Sequence, residues 1–157
     1  MSEKMMKPFV IAVLTLFSYG FIYSQETNPD FDPELAERFG ADDYGMKKYV
    51  FVLLRTGENS SQDQEFIDSC FVGHMDNIQR LVKERKLVVA GPMLKKESDL
   101  RGIFILNVQT IEEAKDLINL DPAIKEKLLE AELFEWYGSA ALPLYLDFSD
   151  KVKKVKF

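Results

Sequence analysis

Apolar and polar positions alternate with different periods along the 157-residue chain, and those periods predict its elements. Residues 48–55 read Lys-Tyr-Val-Phe-Val-Leu-Leu-Arg, β-branched, aromatic and apolar without a break, which predicts a strand bounded by Thr56-Gly57-Glu58-Asn59. Residues 61–86 change to helical spacing. Phe66, Ile67, Cys70, Phe71, His74, Ile78, Leu81 and Val82 share one side, and Asp63, Asp68, Asp76, Lys83 and Glu84 fall largely on the other. A second strand is predicted over 87–92, ended by Gly91-Pro92, then a charged hairpin-like connection over 95–101 and a third strand over 102–108. Thr110-Ile-Glu-Glu113 is a capping box, hydroxyl at the cap and carboxylate three residues on, opening a helix to about Leu120. Asp121-Pro122 starts a short helix to about Glu130, and 131–137 read as a fourth strand.

The order β-α-β-β-α-β predicts an α+β, ferredoxin-like fold with an antiparallel sheet. In that arrangement both helices cover one face of the sheet. If the other face met water, the strands would alternate apolar with polar. Residues 50–54 and 103–106 do not alternate, so both faces are expected to be covered. A second subunit, sheet against sheet, is the simpler cover and predicts a homodimer; the tail over 139–157 is the alternative.

The flanks have their own character. Lys4 and Lys7 precede Phe9 to Tyr23, an uncharged apolar run of 15 residues, and the small Ser24 follows. That order predicts a secretory signal peptide over 1–24, too short for the roughly 20 residues a membrane-spanning helix needs. Cleavage is expected after Ser24, or after Gly20. A short buried helix or an uncleaved anchor is the alternative. Removal of 1–24 would leave 133 residues, periplasmic or secreted, with no stable membrane anchor. It would take away Lys4, Lys7 and Glu3, so the formal charge would move from −6 to −7. The partition is then 25–46 as an acidic, turn-rich segment, 47–138 as the folded domain and 139–157 as the tail. Within 25–46, Asp32 can cap a short helix with Pro33 at its first position and Gly40 past its end.

Composition narrows the chemistry. The hydrophobic share of 46% suits a globular domain, and an acidic chain lacks the basic patch a nucleic-acid partner would require. One cysteine, Cys70, excludes an intramolecular disulfide and any multi-cysteine metal site. One histidine, His74, excludes metal motifs built on histidine pairs, so no metal and no cofactor is expected. The four lysines between Lys151 and Lys156 read as a solvated tail.

His74 lies on the apolar side of its helix, one turn from both Cys70 and Ile78. It is either a satisfied core histidine or, with a carboxylate fixing one ring nitrogen, a proton-transfer group. Asp121 before Pro122 is an N-cap signature, yet one carboxylate oxygen can cap while the other holds an imidazole. Cys70 is a small buried apolar residue or a thiolate nucleophile beside His74; sharing a helix face makes attack geometry awkward. Asn77 is either a polar pocket contact or a solvent-facing helix residue. Gly91-Pro92 makes a turn, and its glycine would also admit a ligand to the backbone. Trp136 and Tyr137 fall on opposite faces of the last strand, so at most one can face a pocket, with core packing as the alternative for either.

His74 on the first long helix, Gly91-Pro92 ending the second strand, Gly102 opening the third, Asp121-Pro122 after the next helix and Trp136 on the last strand together resemble the YCII-related domain family. The resemblance covers about residues 47–138. It implies a ferredoxin-like fold paired into a dimeric α/β barrel and a His–Asp pair in a pocket, here His74 and Asp121. Few members have a known reaction; one is a dehydrochlorinase acting on a chlorinated hydroxyquinol. The leader, the acidic segment and the tail depart from that pattern. Two functions are therefore expected of the site. One is acid–base catalysis of isomerase or lyase type on a small organic substrate; the other is a non-catalytic small-ligand-binding or dimeric interaction module.

Overall fold

A computed structural model describes residues 28–94 and 98–155 of the chain. The predicted signal segment and Lys156 lie outside the described residues. The chain divides into two units, residues 1–32 and 33–157. Of the first, residues 28–32 are described, with the Phe31 amide donating to the Asn28 carbonyl at 3.2 Å.

The second unit opens with α1 (Pro33–Phe39), ended by Gly40 at φ +65°, a left-handed position that glycine adopts at little cost. It continues as β1 (Met46–Thr56), α2 (Gln64–Lys83), β2 (Leu87–Pro92), β3 (Leu100–Leu106), α3 (Ile111–Ile118), α4 (Pro122–Lys125) and β4 (Leu129–Ser139). The four strands form one sheet in the order β2-β3-β1-β4, with every pairing antiparallel. This is the α+β ferredoxin-like arrangement that the periodicity predicts.

Several boundaries differ from the sequence reading, each for a local reason. The long helix runs over 64–83 rather than 61–86. Asp63 caps it, accepting from the Phe66 amide at 3.2 Å, while Ser61 and Asn59 bond the turn before it. Arg85 at φ 55° stops it at the other end. The third strand occupies 100–106 rather than 102–108, so Leu100 and Arg101 belong to it and not to the connection. The short helix stops at Lys125, because Lys127 at φ 59° turns the chain; Leu129 and Glu130, expected in that helix, begin β4. The hydroxyl half of the capping box forms, Thr110 accepting from the Glu113 amide at 3.1 Å, while the Glu113 carboxylate bonds Lys86 at 2.7 Å and the Gln109 backbone.

The core lies between the sheet and α2, α3 and α4. It contains Val50, Val52 and Leu54 of β1, Phe104 and Leu106 of β3, Leu87 of β2, Leu81 of α2, and Ala114 and Ile118 of α3. From Val50 to Leu54 burial therefore alternates along β1 although apolarity does not, while Tyr49, of the opposite face, is buried as well. Val50, Val52 and Leu54 are buried, while Phe51 and Leu53 are half-buried on the opposite face. Strand pairing places Ile103, Ile105, Phe134 and Trp136 on that same face.

After β4 the tail forms short turns over Leu142–Tyr145 and Asp150–Val152, with the four-residue helix α5 (Leu146–Ser149) between them. The Tyr145 hydroxyl donates to the Val88 carbonyl of β2, and Arg85 pairs with Asp147 at 2.9 Å. Since β4 and β2 are opposite edges of the sheet, the tail crosses the end where β1 and β2 begin. It spans that end alone, and Phe134 and Trp136 stay exposed beyond it. Among the described residues, no helix is long and apolar enough to cross a membrane.

Candidate functional site: a histidine held by a buried cap

Gly73 sets the closest approach of two helices. A Cβ at that position would sit 2.6 Å from the Pro122 side chain, so only glycine lets α2 meet the start of α4 this closely. The approach brings the residue after Gly73 against the residue before Pro122. His74 Nδ1 lies 2.7 Å from Asp121 Oδ2, across 47 residues of sequence. Both residues stand out in the sequence, which carries no distance between them. Gly73, which permits the contact, was missed, although a glycine inside an otherwise good helix is a signal of close packing.

Asp121 is fully buried and takes both of the roles open to it. Oδ1 caps α4, accepting from the Ala123 amide at 3.0 Å and the Ile124 amide at 3.4 Å. Oδ2 faces His74 and, at the limit of bonding distance, the Asn77 amide at 3.5 Å. Every group around this carboxylate is a donor, so Asp121 is the acceptor and Nδ1 of His74 carries the proton. Asn77 is buried, and its oxygen accepts from Arg80 at 2.8 Å; Arg80 in turn pairs with Glu84 at 2.9 Å. Asn77 thus faces inward rather than solvent. Arg80, absent from the sequence reading, and Glu84, read there only as part of the polar side, extend the polar chain to the surface, and their i, i+4 spacing is the signal that could have shown it.

The imidazole ring stacks on Phe104 of β3, centroids 5.8 Å apart, with the edge of Phe71 at 6.0 Å. Its side chain is 11% exposed. Nε2 bonds no described residue, and no buried side-chain nitrogen or oxygen among them lacks a partner, so Nε2 is the ring nitrogen that meets solvent. One nitrogen is held and the other is open.

The other candidates separate from this centre. Cys70 is buried one turn away; burial pushes its thiol up, and the carboxylates of Glu126 and Asp121 push it further, which disfavours a thiolate. Trp136 lies on the sheet face opposite His74. It pairs with Tyr49, tilts against that ring at 5.6 Å and covers Gly138, whereas Phe104, under His74, points to the helices. The alternation of strand side chains places it away from the His74 of its own chain. Tyr137, on the helix side, hydrogen-bonds Asp42 through its hydroxyl. Gly91 and Pro92 form no hydrogen bond or ring contact with His74 or Asp121 among the described residues. Gly91 pairs with Ile103, and Gly102 is the glycine that lets β2 approach, since a Cβ there would lie 2.8 Å from the Gly91 carbonyl oxygen. A cavity of about 540 Å³ over Phe71, Val72 and Met75 on α2, and another of about 400 Å³ beside β4, are not lined by His74. Among the described residues no cluster of histidine, cysteine, aspartate or glutamate is placed to hold a metal ion.

No family model matches the chain, and no curated protein matches it significantly. Among solved structures it is similar to 5-chloro-2-hydroxyhydroquinone dehydrochlorinase from Burkholderia phenoliruptrix AC1100, in complex with 2,5-dihydroxybenzoquinone. Identity is 20%, with 55% of this chain and 92% of that chain covered at a TM-score of 0.42. The likeness is too slight to carry a ligand or a reaction across.

Proposed function

We propose that this is a YCII-like protein in which His74 transfers protons on a small organic substrate, in a reaction of isomerase or lyase type. The observation that carries the reading is the 2.7 Å contact between Nδ1 and the buried Asp121 carboxylate, with Nε2 left open. Asp121 fixes the ring and its tautomer, leaving the Nε2 lone pair free to accept a proton. The substrate this suits bears a hydrogen on a carbon made acidic by a neighbouring carbonyl. Nε2 takes that proton, and Asp121 stabilises the imidazolium that results. Return of the proton to another carbon completes an isomerisation; departure of a leaving group with the electron pair completes an elimination. Such a positioned group contributes roughly 10²–10⁴-fold to rate. The working unit proposed is a homodimer through the bare sheet face, exported by way of the cationic start and apolar run over 1–24.

The test is a screen of small carbonyl compounds and lactones against the full chain, with His74→Ala as control and the His74 ring followed by NMR. Turnover that falls about 10²-fold or more in the variant is the expected result. Turnover unaffected by His74→Ala, or a ring that responds to neither pH nor any compound, would sink the catalytic reading. A compound that moves the ring resonances and is never converted would establish a binding module instead.

A further inference from the structure

We propose that the cleft between β4 and the helices α3 and α4 binds a small amphipathic carboxylate at a site separate from His74. The cleft holds about 400 Å³, within the range of small-molecule sites. Its floor is apolar: Ile118 of α3, Ile124 of α4, and Leu129, Ala131 and Leu133 of β4. The space exists because of the residues chosen. On β1 the helix-facing row is Val50, Val52 and Leu54, each branched and buried. On β4 the corresponding row places a lone methyl, Ala131, between two leucines, under an eight-residue helix and a four-residue one.

One wall is built with strain. Lys127 holds φ 59°, unusual for a residue with a side chain. Its carbonyl oxygen would lie 2.0 Å from a Cβ at Gly57, and it accepts from the Asn59 amide at 3.0 Å. The Asn59 side chain adds a bond to the Glu126 carbonyl at 2.7 Å. Lys127 is the left-handed residue that closes α4, and these contacts fix it at the mouth of the cleft.

Charge then selects the ligand. Lys127 is paired with Glu58 on the rim. Glu130 also lines the cleft, but it lies opposite Arg55 in the strand register, and alternation turns its side chain to the sheet face away from the helices; the ion pairs of Arg55 are with Asp99 and Glu132. Lys115 remains, with no ion pair among the described residues, and Asn119 stands one turn beyond it on α3. An ammonium and a carboxamide above an apolar floor suit a carboxylate head on a short hydrocarbon body.

The experiment titrates octanoate, octan-1-ol and octylammonium into the full chain, by calorimetry and amide shifts. Octanoate should bind, with shifts over residues 115–133, and octylammonium should not. Lys115→Gln should weaken octanoate about tenfold, the loss of one charge-assisted contact. Ala131→Leu, which fills the cleft, should abolish binding without lowering the thermal midpoint. His74→Ala should leave octanoate affinity unchanged, so this proposal and the catalytic reading fail separately. Equal binding of octanoate and octylammonium, no octanoate binding at millimolar concentration, or unchanged affinity in Lys115→Gln would each overturn it.

Discussion

Both faces of the sheet carry apolar rows, and the two rows are buried to different depths. Toward the helices, Val50, Val52, Phe104 and Leu106 are at most 2% exposed. On the other face Phe134 is 47% and Trp136 38% exposed, with Phe51, Leu53, Ile103 and Ile105 half-buried between them. The same strands thus carry a finished core and an unfinished one. An apolar run in a strand leads one to expect two covered faces, and within the described residues of this chain only the helix side is closed. The tail reaches from β4 to β2 at one end of the sheet, and the exposure of Phe134 and Trp136 beyond it supports the proposed homodimer.

The largest expected effect breaks the finished side. Phe104→Ala removes a fully buried ring that also supports the His74 imidazole, and should cost about 3–5 kcal/mol. Urea unfolding at fixed protein concentration measures it. Ile103→Ala, its neighbour on the bare face, should cost well under half of that. Equal costs would mean the second face is as completely covered as the first. Next is Gly73→Ala, which puts a methyl 2.6 Å from Pro122 and should cost about 1–3 kcal/mol by overpacking. It should also lengthen the His74–Asp121 contact, read from the Nδ1 proton resonance. An unmoved resonance would show that Gly73 does not set that contact. The smallest stability effects belong to Phe134→Lys with Trp136→Lys, within about 0.5 kcal/mol for Phe134 and about 1 kcal/mol for Trp136, which also packs on Tyr49. That pair should nevertheless abolish self-association in sedimentation. A dimer that persists would move the interface elsewhere.

Much of this was legible in the sequence, and the misses have definite causes. The order of elements followed from the switch between continuous apolar runs and helical spacing, and Asp121-Pro122 announced its cap outright. Helix ends were overdrawn because apolar spacing continues past the residues that stop the backbone, such as Arg85 at φ 55°. Lys127 hid the start of β4 in the same way, since nothing in a lysine announces a left-handed turn. The meeting of His74 with Asp121 is a long-range contact, and only packing at Gly73 brings it about. Trp136 could be placed on one of two faces by alternation, and choosing the face needed the register with Tyr49.

One carboxylate at Asp121 ties a backbone amide of α4 to the imidazole of His74. The first turn of a four-residue helix and the readiness of a reactive ring are therefore one cooperative unit. Any opening of that turn also releases the carboxylate oxygen that faces the ring. Local stability at this corner and competence of the site rise and fall together.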